Sequence, residues 1–279
     1  MEKDDIQKNK IKANDVLFNF FSFAKYIEYV IIMSRYLAII NFRTFITLFI
    51  SILVPFTAYK FNIVYNIDLT LISIAIIFPL VFTIRGAFRR REKALQFLSS
   101  FRSSLKTLSN LFKMSLEEQK EINKEGSNLI SDLENELFDY LKSQNPDSKN
   151  MDLKIQAIYD YVSFNAEHIR KSARPRISRF INDVSESIDN LIGVHNHRTP
   201  ISLKAYCLIF IYIFPLIYTP SIINKIGLDN PAWLTYFIVI LSEFILVSLY
   251  NIQDHLEYPF DDNGLDDIKL YLFSQTRGK

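Results

Sequence analysis

Residues able to carry out chemistry are few and scattered in this 279-residue sequence. His195 and His197 could chelate a metal weakly, but no Cys, Asp or Glu lies at ligand spacing beside them, which favours two polar residues in a connecting turn. The single cysteine, Cys207, has no base at a useful spacing, and it excludes a disulfide scaffold. No phosphate-binding glycine motif occurs either. An enzyme is therefore the least favoured functional class.

Four carboxylates near the C-terminus offer the oxygen ligands that calcium prefers: Asp261, Asp262, Asp266 and Asp267. They lack the alternating ligands and the closing Glu of an EF-hand, and Asn263, Gly264 and Leu265 interrupt them. A cation site and a capped, solvated turn both remain open, and the turn is favoured. We expect no cofactor, and calcium, if it binds, is not expected to be required.

Glu243 lies inside a long apolar run, where a carboxylate is costly and usually faces the protein interior or water. Its depth in the run makes Tyr212, on the preceding apolar run, a candidate partner. Two roles stay open: a structural hydrogen bond between helices, which is favoured, and a part in ion passage.

An apolar pattern with a possible role of its own consists of Ile74, Phe78 and Phe82, which are four residues apart and therefore share one helical face. Ordinary packing is the default interpretation. However, the basic run Arg85–Arg91 follows at once. On a helix that lines a pore, such a stripe would form a hydrophobic constriction that gates by dewetting.

The elements that must position these residues are predicted by composition. The chain is 49% hydrophobic with a mean hydropathy of +0.09 although 22% of its residues are charged, so the apolar residues must be concentrated. Four segments approach or exceed the roughly 17 residues that a spanning helix needs: Thr44–Tyr59, Leu69–Ile84, Ala205–Ile223 and Ala232–Asn251. We therefore predict four transmembrane helices.

Lysine and arginine indicate the orientation. The linkers after the first and third spans hold only Lys60 and Lys225, whereas five basic residues follow the second span within Arg85–Lys93. The positive-inside rule then places both termini in the cytoplasm of a multi-pass protein of the plasma (inner) membrane. Polar residues along one side of Val16–Ile40 predict an amphipathic helix that lies on the membrane or against the protein.

The region between the second and third spans is soluble and helical, because apolar residues recur at three and four without β alternation. We predict breaks at Ser143–Asn150 and at Arg174–Arg176. The predicted fold class is all-α, with four spans continuing into a helical cytoplasmic bundle. The predicted regions are 1–43 (N-terminal segment), 44–85 (spans one and two), 86–200 (cytoplasmic helices), 201–251 (spans three and four) and 252–279 (C-terminal segment).

This order of parts resembles the bestrophin family of pentameric ion channels, and three local patterns carry the resemblance. Phe82-Thr-Ile-Arg85-Gly-Ala87-Phe88-Arg-Arg90 keeps Phe, Ala, an aromatic and Arg in register with the family pattern at the end of span two. Thr199-Pro200, Tyr206 and Phe214-Pro215 match the family pattern around span three. After span four, Pro259-Phe260 is followed by acids, as in bacterial members.

The resemblance implies a homopentamer in which Ile74, Phe78 and Phe82 form the pore neck. It also implies a second, cytoplasmic constriction near the turn before span three, around Val194, His195 and His197. The expected function is passive transport of small ions, chloride and other anions or monovalent cations. The expected partners are membrane lipid, further copies of the chain and the permeant ions, and no nucleic acid. The alternative is a non-conducting membrane receptor or scaffold that signals through its cytoplasmic helices.

Overall fold

A computed structural model describes residues 39–115, 119–143, 147–227, 230–262 and 266–274. Within those ranges the chain is helical and contains no β-strand. The predicted amphipathic helix Val16–Ile40 lies outside the described residues except for its last two positions. The helices are α1 (Phe42–Lys60), α2 (Leu69–Ser115), α3 (Lys120–Lys142), α4 (Lys149–Phe164), α5 (Arg174–Asn196), α6 (Ile201–Ile226) and α7 (Ala232–Glu257), with a 3₁₀ turn at Leu270–Phe273.

Among the described residues, four helical stretches are long and apolar enough to cross a membrane, which makes the chain a multi-pass membrane protein. They lie in α1, in α2, in the stretch that contains α5 and α6, and in α7. In the third stretch the apolar residues belong to α6, whose only charges are Lys204 and Lys225. We call α1, the first half of α2, α6 and α7 the apolar layer.

Hydrogen bonds at both ends of the apolar layer join α1 to α7. Near one end, Tyr59 Oη and Thr235 Oγ1 lie 2.8 Å apart. At the other end, Asn41 Nδ2 donates to Asn251 Oδ1 over 2.9 Å. Because residues early in α1 meet residues late in α7, the two helices are antiparallel neighbours.

Helix α2 is the element that connects the apolar layer to the rest of the molecule. Its 47 residues give a length of roughly 70 Å at 1.5 Å per residue. The first half buries Ile76 and Leu80 against α6 and α7, and the second half buries Leu98 and Phe101 in a separate core. A single unbroken helix therefore carries side chains through both layers.

The second half of α2 packs with α3, α4 and α5 in what we call the basal bundle. Its core contains fully buried leucine, isoleucine and phenylalanine side chains at three- and four-residue spacing, as the sequence predicts. Those on α2 and α3 include Leu98, Phe101, Leu105, Leu108, Phe112, Ile130, Leu133 and Leu137.

The breaks between helices agree with one prediction and correct another. Helix α3 ends at Lys142 and α4 begins at Lys149, inside the predicted break. The second interruption is not at Arg174–Arg176, because α4 has already ended at Phe164 and α5 begins at Arg174. Pro175 lies in the first turn of α5, where proline is tolerated since its missing N–H would have no helical partner there.

A glycine allows the closest approach in the basal bundle. A Cβ on Gly126 would lie 2.8 Å from Tyr161 Oη and 3.0 Å from Phe112 Cδ2. Tyr161 is held in place because its hydroxyl donates to Ile122 O over 2.6 Å. Burial, together with the nearby charge of Glu125, raises the pKa of this hydroxyl to about 12. Helix α3 therefore approaches α4 at a distance that only glycine permits.

We expect Gly126→Ala to lower the free energy of unfolding by about 1–3 kcal/mol, the usual cost of overpacking a core. Gly86→Ala is the matched control, because a Cβ there has no atom within 4 Å and alanine should stabilise the helix by roughly 0.5–1 kcal/mol. Thermal unfolding of the detergent-solubilised protein measures both. Equal melting temperatures for the two variants would contradict the close approach.

Candidate functional site

The apolar stripe of α2, formed by Ile74, Phe78 and Phe82, points away from the core of its own chain. The three side chains are 44%, 55% and 60% exposed, whereas Ile76 and Leu80 on the opposite face are almost fully buried. The rings of Phe78 and Phe82 lie against each other with centroids 6.2 Å apart. Among the described residues the stripe therefore forms an exposed apolar surface that belongs to neither buried core.

Two tyrosines stabilise the proline-containing spans around this stripe. Pro79 has no N–H, so the Ala75 carbonyl one turn earlier lacks its helical partner, and Tyr206 Oη donates to that oxygen over 3.3 Å. On α6, Pro220 likewise leaves the Leu216 carbonyl free, and Tyr65 Oη lies 3.3 Å from it. Tyr206 thus joins α6 to α2 beside the stripe, and Tyr65 joins the linker before α2 to α6.

Five charged residues meet where the apolar layer joins the basal bundle, and we call them the basal ionic node: Arg43, Arg90, Lys204, Asp254 and Glu257. Lys204 Nζ lies 2.7 Å from both Asp254 Oδ1 and Glu257 Oε2. Arg43 Nη1 lies 3.0 Å from Asp254 Oδ2, and Arg90 Nη1 lies 3.8 Å from Glu257 Oε1. Glu257 also accepts from the backbone N–H of Thr199 over 2.9 Å.

The basal ionic node joins α1, α2, α6 and α7 at one level. The sequence analysis missed it as a site, although Asp254 and Glu257 share a helix face by their three-residue spacing at the end of an apolar run. No pattern in the sequence indicated the basic partners of these two carboxylates. Those partners are Arg43, Arg90 and Lys204, which are far apart in the sequence and meet only in the fold.

Glu243 lies in the interior of the apolar layer, as the sequence predicts, with none of its surface exposed. Neither carboxylate oxygen has a hydrogen-bond partner among the described residues, so the predicted bond to Tyr212 is not formed. The reason is the register between α6 and α7. Counted from the bridges of Lys204 to Asp254 and Glu257, the residues of α6 opposite Glu243 lie between 215 and 218, at least about 4.5 Å along the axis from Tyr212.

The three residues of the predicted cytoplasmic constriction do not form one surface. Val194 and His197 line an open cavity of about 740 Å³ between α2 and α5. His195 is buried on another side of α5, where its ring lies between those of Tyr140 and Phe260 at centroid distances of 5.5 and 6.4 Å. Along a helix, successive residues point about 100° apart, so His195 and His197 do not converge on a metal.

The acidic turn is described at Asp261–Asp262 and Asp266–Asp267, and residues 263–265 lie outside the described ranges. Asp262 Oδ2 lies 3.7 Å from Lys142 Nζ, and its Oδ1 lies 4.0 Å from Lys269 Nζ. Arg91 Nε donates to Asp266 O over 2.7 Å, which fastens the turn to α2. In the described part of the chain no group of three or more His, Cys, Asp or Glu side chains could hold a metal ion.

Comparison with known proteins supplies the fold. No protein-family model matches the sequence, and no curated protein matches it either. Among solved structures, a bacterial bestrophin homologue from Klebsiella pneumoniae matches with a TM-score of 0.69 and 13% sequence identity, over 83% of this chain and 93% of that chain. A single-substitution variant of a Klebsiella pneumoniae bestrophin homologue gives a TM-score of 0.68 and 13% identity over 83% and 95% of the two chains. The chain therefore has the fold of these homologues, which confirms the resemblance at the level of structure.

The unpartnered carboxylate of Glu243 generates a prediction. Since Glu243 has no hydrogen-bond partner among the described residues, we expect Glu243→Gln and Glu243→Leu to assemble normally. The Leu variant should be more stable by about 1–3 kcal/mol, the cost of a buried unpaired polar group. Thr235→Val, on the same helix, removes the bond to Tyr59 and should cost about 0.5–1.5 kcal/mol, which shows that the assay detects one hydrogen bond.

Melting temperature and oligomer yield are the measurements. Failure of the Leu variant to assemble, with the Gln variant intact, would reveal a partner from outside the chain. Altered ion flux in a normally assembled Gln variant would instead assign Glu243 a part in permeation.

Proposed function

We propose that this protein is a bestrophin-like ion channel, a homopentamer that passes small ions passively through a central pore lined by α2. It lies in the plasma membrane with both termini in the cytoplasm, as the distribution of Lys and Arg favours. Bestrophins are ion channels and not enzymes, and the chain shares their fold.

The apolar stripe of α2 carries the proposal. Other spans also expose apolar residues, as expected of surfaces that meet lipid, but α2 extends its exposed face beyond the apolar layer. Below Phe82 the same face continues through Arg89, Gln96 and Ser103 at seven-residue spacing, and all three are polar. This face of α2 is apolar in the apolar layer and polar from Arg89 to Ser103, where the helix joins the basal bundle. Such a face suits a water-filled path that has one dry section.

The neck acts by excluding water. Ile74, Phe78 and Phe82 lie about 6 Å apart along the helix axis, so five copies would form three stacked rings. These rings offer no polar atom to replace the hydration shell of an ion. Such a passage tends to dry, and drying blocks ions even where the bore is wide enough to admit them.

Truncating the neck tests the function directly. Because both rings are exposed in the protomer, Phe78→Ala and Phe82→Ala should assemble normally and increase ion flux, and the double variant should increase it most. Phe49→Ala is the matched control, since Phe49 is 66% exposed on α1 and should leave flux unchanged. Flux is measured from liposomes in chloride and sodium gradients, with the oligomeric state determined on the same preparation.

A pentamer with unchanged flux in the double variant would show that this face is not the constriction. A monomer or dimer without flux would favour the alternative, a receptor or scaffold that signals through its cytoplasmic helices.

Calcium is not required for opening in this proposal. The carboxylate of Asp262 lies near two lysines, and no metal-binding group of three side chains occurs in the described part of the chain. We expect chelation of calcium to leave the flux unchanged. A tenfold rise on adding micromolar calcium would contradict this, whereas a change in melting temperature alone would indicate a structural ion.

A further inference from the structure

We propose that Arg85, Arg89 and Lys93 form a basic collar directly below the neck, and that this collar makes the permeant ion an anion. The inference rests on the proposed function, because the collar closes into a ring only where α2 lines a pore. It deepens that function by naming the residues that decide the sign of the ion.

The collar lies on the same face of α2 as the neck. Arg85 follows Phe82 by three residues and Arg89 follows Arg85 by four, which keeps all of them on one side of the helix. Arg85 and Arg89 are exposed, as the neck residues are. By helical rise, Arg85 lies about 4.5 Å and Arg89 about 10 Å below Phe82. An ion leaving the neck would therefore pass the guanidinium groups of Arg85 and then of Arg89 within about 10 Å.

The charges of the collar have no ion-pair partner in the described part of the chain. Among the described residues, Arg85, Arg89 and Lys93 form no ion pair. Their neighbours on the other sides of α2 are engaged: Arg90 approaches Glu257, and Arg91 donates to Asp266 O. The basic run thus divides by helix face into residues that hold the fold and residues that do not.

The lower part of the collar, Arg89 and Lys93, lines the 740 Å³ cavity between α2 and α5. Two acids, Glu92 and Asp189, also line this cavity, and Arg85 lies outside it. Among the described residues the cavity has room at its wall, since a Cβ on Gly86 or Gly193 would meet no atom within 4 Å. The three basic residues of the whole collar therefore exceed these two acids by one positive charge.

Repetition of this surface around a pore gives a charged ring. Rings of Arg or Lys favour anions in channels, as rings of Asp or Glu favour cations. Low-dielectric walls focus the field of such a ring and raise the local concentration of the opposite ion. The apolar neck cannot supply this preference, because it carries no charge and excludes both signs alike.

The experiment measures the chloride-to-sodium permeability ratio from reversal potentials in a sodium chloride gradient, with the purified full chain in neutral lipid. We expect the wild type to prefer chloride. The double variant Arg85→Gln/Arg89→Gln should lower the ratio at least about fivefold, the effect of a unit charge about 4 Å from the ion in bulk water. Arg91→Gln is the control. It removes one positive charge from a different face of α2, two residues from Arg89, and should leave the ratio unchanged.

Salt dependence provides a test that needs no variant. The Debye length falls from about 10 Å at 0.1 M salt to about 3 Å at 1 M, so the chloride preference of the wild type should shrink over that range. If the double variant does not assemble, a wild-type ratio that is independent of salt overturns the collar.

The outcomes separate the collar from the channel. Absence of flux for both ions in the wild type would overturn the proposed function. A wild type that conducts but prefers sodium, or a conducting double variant with an unchanged ratio, would overturn the collar alone. An effect of the arginines seen only in vesicles that contain anionic lipid would assign them to headgroup binding, and would also overturn it.

Discussion

The structure depends on the buried negative charge of Glu257, which must be compensated in the basal ionic node where the apolar layer joins the basal bundle. The side chain of Glu257 is 1% exposed, and it is held by Lys204, by Arg90 and by the backbone N–H of Thr199. Removing one partner of a buried ion pair typically costs 3–5 kcal/mol, because the other charge is left uncompensated. Since Glu257 lies on α7 and its partners come from α2, α6 and the turn before α6, this constraint sets the relative depth of three of the four spans. Asp254 adds α1 to the same node through Arg43.

Because the relative depth of the spans is fixed in this way, the two faces of α2 can serve different purposes. One face carries Ile76 and Leu80 into the apolar layer and Leu98 and Phe101 into the basal bundle. The opposite face contributes nothing to either core, so its side chains are free to differ in polarity without a cost in folding. Tyr206 and Tyr65 support this arrangement, because they satisfy carbonyls that Pro79 and Pro220 leave without a helical partner. The free face thus runs from the neck to the collar as one continuous surface.

In the channel that we propose, the division of the free face separates two properties. There the neck controls whether the path is wet, and the collar acts on the sign of the ion. Under this proposal selectivity and gating can change independently, since no residue belongs to both the neck and the collar.

Most of the secondary structure and one face of the candidate site were determined by the sequence itself. Apolar runs long enough to span a bilayer predicted α1, α2, α6 and α7, and three- and four-residue spacing predicted the core residues of the basal bundle, because burial requires one continuous apolar face on each helix. The same spacing showed that Ile74, Phe78 and Phe82 share a face. Local spacing cannot show what lies opposite that face, and only the tertiary structure revealed that it is exposed among the described residues.

The tertiary structure also decided every contact that joins distant residues. Lys204 meets Glu257, and Glu243 does not meet Tyr212, because the bridges of Lys204 set the register between antiparallel α6 and α7. His195 and His197, two residues apart at the end of α5, lie on different sides of that helix end. The basic run of α2 looked uniform in sequence, and the packing of α2 divided it into residues with partners and residues without, since a helix presents each of its sides to a different environment.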